Sequence, residues 1–141
     1  MHPVELLHTG ATLLAPLLEP AGFRFAAGDQ GTGSGGPFAV GAFTNGAREL
    51  ELHVRGCLGI VVYRAPNVVV AHEVLMRAAT DGARPAYPGF SDDPLDGFRH
   101  LKQDLENFGA VFLHGADEAL AEQAALGEAR SAGRRGFGAL S

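Results

Sequence analysis

The sequence contains one cysteine, Cys57, one lysine, Lys102, and no tryptophan. A single thiol cannot close an intrachain disulfide or build a thiolate zinc cluster. One lysine in a chain of net charge −5 leaves no basic stripe of the kind that follows a phosphate backbone, which argues against a nucleic-acid partner. No run approaches the roughly 18 consecutive apolar residues of a membrane span. Residues 1–10 lack the basic-then-apolar pattern of a secretory signal. These absences lead to the expectation of a reduced, cytoplasmic protein with no membrane contact.

At 141 residues the chain suits one domain. It is too short for a protein-kinase catalytic domain, a TIM barrel or a two-domain dehydrogenase. Apolar residues make up 46% and charged residues 19%, the balance of a globular fold rather than a disordered one. The charge is unevenly spread. Residues 1–90 carry six arginines against seven acids, residues 91–129 carry Arg99 and Lys102 against nine acids, and residues 130–141 carry three arginines and no acid. Residues 1–132 are expected to form a single domain and 133–141 a flexible tail.

Leucines 6, 7, 13, 14, 17 and 18 recur at helical spacings and predict a helix over 3–18, with Pro16 ending or kinking it near Ala15. Residues 23–64 read as four strands. Phe38, Val40 and Ala42 alternate with their neighbours, and Asn45-Gly46 marks a hairpin. Leu50, Leu52 and Val54 then oppose Glu49, Glu51, His53 and Arg55, the pattern of a strand with one wet face. The run 58–63 is apolar on both faces, and so reads as a central or covered strand. A helix is expected over about 70–80. In the next one Asp93 caps, Pro94 fills the first turn, and Leu95, Phe98, Leu101, Leu105, Phe108 and Phe112 form the buried stripe. A last helix is expected over about 116–131. The expectation is an α+β fold: a four-stranded antiparallel meander with an N-terminal helix and C-terminal helices on one face.

Five of the 20 glycines cluster at residues 28–36, where the spacing formally matches G-x-G-x-x-G. A dinucleotide site requires a helix after the last glycine. Pro37 and a strand follow instead, so the patch reads as slack between two strands. His72-Glu73 begins a zinc-protease motif, but Met76 stands where the second histidine belongs. His72 therefore reads as a helix-start residue that bonds backbone or packs on the sheet. Asp96, His100 and Asp104 share one helix face, which reads as exposed and polar. Cys57 and His53 point apart if the hairpin forms as drawn, and no Gly-x-Ser-x-Gly elbow occurs. No metal site or cofactor is expected.

Two surfaces remain as candidates. Asp92, Asp93 and Asp96 crowd one helix start beside Tyr87 and Phe90, and aromatics next to acids suit protein recognition. Alternatively His53, His72 and His100 line a pocket between sheet and helices. A third reading is a homodimer through the 58–62 strand or the alanine-rich last helix.

Three motifs carry a resemblance over about a third of the chain: Leu58-Gly59-Ile60-Val61-Val62-Tyr63, His72-Glu73-Val74-Leu75-Met76-Arg77, and Tyr87-Pro88-Gly89-Phe90-Ser91-Asp92-Asp93-Pro94 with the following Phe98-Arg99-His100-Leu101 and Asp104-Leu105. This stretch resembles small bacterial proteins of helix–meander–helix type, which are similar to immunity proteins that neutralise secreted toxins. The resemblance implies a protein partner and carries no catalytic motif. The expected function is a non-enzymatic interaction module that meets its partner through an acidic surface, with a small enzyme or ligand-binding domain as the alternative.

Overall fold

The computed structural model describes residues 1–80 and 92–140, with the side chains of 133–140 left aside. Tyr87 and Phe90 lie outside the described residues. The chain forms α1 (Pro3–Leu18), a 3-10 turn (Glu19–Ala21), β1 (Arg24–Gly33), β2 (Gly36–Thr44), β3 (Glu49–Val54), β4 (Leu58–Ala65), β5 (Val68–Ala71), α2 (His72–Ala79), α3 (Asp96–Phe108), α4 (Ala110–His114) and α5 (Asp117–Leu140). This is an α+β fold, an antiparallel sheet with an N-terminal helix and C-terminal helices. The sheet has five strands in the order β1-β2-β3-β4-β5, not four.

The fifth strand follows from a tight turn. Ala65 pairs with Val68, so Pro66 and Asn67 are the whole connection, and Asn67 takes the left-handed conformation at φ 63°. Asparagine tolerates that region better than most residues. The three valines then extend, and the helix begins at His72 rather than two residues earlier.

The glycine patch is also strand rather than slack. β1 runs through it, with Gly31 opposite Phe38 and Gly33 opposite Gly36. The hairpin closes over Ser34-Gly35, and Gly36 holds φ 97°, a conformation that costs glycine nothing. Backbone pairing to a regular β2 outweighs the weak strand preference of glycine.

α1 continues through Pro16 to Leu18, with the Glu19 amide bonding to the Ala15 carbonyl. The proline removes one amide donor, but Leu14 and Leu18 on either side are fully buried. Burying each such leucine is worth about 1.5–3 kcal/mol, enough to hold the last turn against the lost bond. The α3 start is displaced as well. Asp93 accepts from the Leu95 amide at 2.9 Å, and its own carbonyl accepts from Asp96 N at 3.1 Å. That local turn delays the helix to Asp96. Gly109 separates α3 from α4, which puts Phe112 on a different helix from the stripe it was expected to join. α5 runs on to Leu140, past the expected helix end near residue 131.

The core lies on one face of the sheet. Phe43, Leu50, Leu52, Val61, Tyr63 and Val70 point into it and meet Leu6 and Leu14 of α1, Phe98 and Leu101 of α3, Phe112 of α4 and Leu120 of α5. Alternate residues stay half-buried or exposed, with Ile60 54% and Val69 63% exposed. β4 is thus interior in the sheet but open on its second face at Ile60. No helix among the described residues is long and apolar enough to cross a membrane.

Candidate functional site

The acidic helix start is internally paired. The Arg99 guanidinium, through Nη1, donates to Asp93 Oδ2 at 2.6 Å and Asp96 Oδ1 at 2.7 Å. The Arg99 hydrogen bond and the Leu95 amide hold the Asp93 carboxyl below its ordinary range. Asp92 is exposed beside them. Of the three acids expected at this surface, two are therefore spent partly on the local turn.

Other acids of the 91–129 segment are divided between structure and surface. Asp117 accepts from Arg48 Nη2 at 2.8 Å. Arg48 also donates to the carbonyls of Val111 at 3.0 Å, Phe112 at 2.6 Å and Gly115 at 2.6 Å. A buried cation thus closes the C-terminal end of α4, where the Val111 carbonyl also accepts from the Gly115 amide at 3.0 Å and the helix dipole is negative. Asp92, Glu106, Glu118, Glu122 and Glu128 are exposed and make no ion pair among the described residues. Glu118 and Glu122 stand one turn apart on α5.

Asp104 does not lie on an exposed polar face. It is 2% exposed, and Oδ2 sits 2.8 Å from Nε2 of His72, itself 2% exposed. The His72 Nδ1 lies 2.7 Å from the Tyr63 hydroxyl. Burial first, then the charges of Asp104 and Glu73, push the Tyr63 phenol well above its ordinary range. The phenol therefore stays protonated; against a neutral His72 ring it donates to Nδ1, and Nε2–H is then the donor to Asp104 Oδ2. His100, one turn before Asp104, approaches the same oxygen at 3.5 Å and keeps a side-chain exposure of 21%. Asp104 follows Leu101 by three positions and adjoins Leu105, at the margin of the buried stripe, so the helix pattern alone misassigns it.

Two of the three expected histidines, His72 and His100, thus converge on one carboxylate. His53 does not join them. It lies on the other face of β3, with Nε2 2.8 Å from Glu51 Oε2. That hydrogen bond, with the nearby Arg64, lowers the Glu51 carboxyl despite partial burial. Among the described residues no group of three histidine, cysteine, aspartate or glutamate side chains is arranged to hold a metal ion.

No sequence motif marks Tyr63 as a site residue. A signal for its pairing with His72 exists in the alternation: Val68 and Val70 face the core, so the next alternate position, His72, faces it too. Tyr63 is the direct partner of Val70. Nothing in the sequence points from either residue to Asp104.

No protein-family model, curated protein or solved structure matches this chain.

Proposed function

We propose that this protein is a non-enzymatic interaction module of immunity type that binds a basic partner protein through acidic side chains of its C-terminal helices. The observation that carries this reading is the set of exposed carboxylates of Asp92, Glu106, Glu118, Glu122 and Glu128, none in an ion pair among the described residues. Uncompensated charge of one sign steers a complementary partner and raises its association rate more than it adds raw affinity. The interior polar groups also favour the non-enzymatic reading. Tyr63, His72 and Asp104 are hydrogen-bonded in series and buried in the core, and a general acid or base must reach a substrate proton.

The convergence of His72 and His100 on Asp104 is what favours the alternative, a small enzyme or ligand-binding domain between sheet and helices. The two readings separate in one experiment. A photo-crosslinking residue is placed at Glu118 or at His100 in the host cell, and the adducts are compared with those of a Glu122→Lys variant. The interaction reading expects a protein adduct of high isoelectric point at Glu118 that Glu122→Lys removes. No adduct at Glu118, or one indifferent to the charge reversal, overturns it.

A further inference from the structure

The second face of the sheet carries a cleft that shares only His53 with the expected surfaces. It has a volume of about 360 Å³ and is bounded by Phe38 and Val40 of β2, His53 of β3, Arg55 and Cys57 of the connecting turn, and Ile60 of β4. A bulge lies in its lining. His53 pairs with Ile60, but Val54 pairs with Leu58, so Gly59 is an extra residue on β4. A bulge bends the strand and interrupts the ladder locally. Here the extra residue has no side chain, and a Cβ built on it would meet only the His53 carbonyl, at 3.8 Å. Gly59 lines the cleft and adds no side chain to it.

The walls are apolar, and the charge that remains unmatched is positive. The Arg55 guanidinium lies 5.6 Å from the centroid of the Phe38 ring and donates through Nη1 to the Gly36 carbonyl at 2.9 Å. It makes no ion pair among the described residues. The carboxylate next to the cleft, Glu51, is already engaged by His53 at 2.8 Å and by Arg64 at 3.6 Å. A guanidinium fixed on an aromatic face and tethered by a carbonyl keeps further N–H donors for a planar anion. Small-molecule sites are apolar clefts of about 300–1,000 Å³ with a few placed polar groups, and this volume is at the small end of that range.

We propose that the cleft binds a small organic carboxylate, its single ring or branched apolar body between Phe38, Val40 and Ile60 and its carboxylate on Arg55. The site is separate from the acidic helical surface, so its failure leaves the proposed function standing.

The test is an amide NMR titration of the full chain with phenylacetate, alongside the neutral phenylacetamide. Saturable shifts are expected at Val40, His53, Arg55 and Ile60 with phenylacetate. Arg55→Gln is expected to weaken binding at least about tenfold, the loss of a charge-assisted hydrogen bond. Gly59→Leu is expected to abolish it by filling the floor. A second readout is independent of the spectra: bound phenylacetate slows alkylation of Cys57, whose thiol is exposed at the cleft. Should Gly59→Leu misfold, Arg55→Gln alone still decides the matter. Equal binding of phenylacetamide, indifference to Arg55→Gln, or no saturable shift at millimolar phenylacetate overturns the proposal.

Discussion

The Tyr63 hydroxyl and the Nδ1 atom of His72 are 2.7 Å apart and both residues are buried. The bond spans the β4–β5 hairpin and continues through Nε2 to Asp104 on α3, so it ties the sheet to a helix. Tyr63→Phe keeps the ring contact with Phe112 and removes only the donor. It is expected to cost about 1–3 kcal/mol, the penalty of taking one partner from a buried polar atom. Asp104→Ala is expected to cost more, because it leaves the buried His72 Nε2–H without its acceptor and opens a cavity as well. Urea denaturation of the two variants checks the order.

The same phenol gives the fold an alkaline limit. Its folded-state pKa is raised above the unfolded value of about 10. A group shifted upward contributes its stability in full below the unfolded pKa, and loses it as pH rises through the folded one. The phenolate absorbance of Tyr63 is therefore expected to appear together with loss of the fold, as judged by circular dichroism. A Tyr87→Phe background isolates the signal.

Arg48 and Asp117 should contribute unequally despite their 2.8 Å contact. The Asp117 side chain is 55% exposed and that of Arg48 9%. Exposed pairs are worth about 0–1 kcal/mol, so Asp117→Asn is expected to be nearly neutral. Arg48→Met removes the Arg48 bonds to the Val111, Phe112 and Gly115 carbonyls, of which Val111 keeps the Gly115 amide, and is expected to cost about 2–4 kcal/mol. Thermal unfolding of both variants tests the difference.

Two helix glycines should reverse the usual effect of alanine. In an exposed helix Gly→Ala gains about 1 kcal/mol. At Gly10 the new methyl would collide with the Phe98 ring, and at Gly127 with the Val74 carbonyl. Overpacking costs about 1–3 kcal/mol. Gly127→Ala is expected to be the worse, because a backbone carbonyl in α2 yields less than a ring. Chemical denaturation reads both.

At the start of α3, the Asp93 carboxyl is held low by Arg99. A group lowered in the folded state contributes above its unfolded pKa and loses that contribution as pH falls through the folded value. Carboxyl NMR is expected to show Asp93 titrating below an ordinary aspartate, and Arg99→Gln is expected to move it back up.

Local patterns in the chain dictate the class and much of the order: the entry helix, the Asn45-Gly46 hairpin, the alternating strand at Leu50, Leu52 and Val54, and the apolar stripe through Phe98, Leu101 and Leu105. These follow from periodicity and turn chemistry, which act within about ten residues. The fifth strand was only half legible, since three valines followed by a helix-forming run leave the boundary to the Pro66-Asn67 turn. Tertiary structure alone decided the rest. It drew Gly31 and Gly33 into β1 by giving them a partner strand. It buried Asp104, which helix periodicity leaves at the edge of the polar face, by placing His72 against it. It also set a cleft beside Gly59, where β3 and β4 mismatch by one residue. Contacts between residues 63, 72 and 104, or 48 and 112, depend on how helices dock on a sheet. That docking is set by the shape of the whole core and by no local pattern.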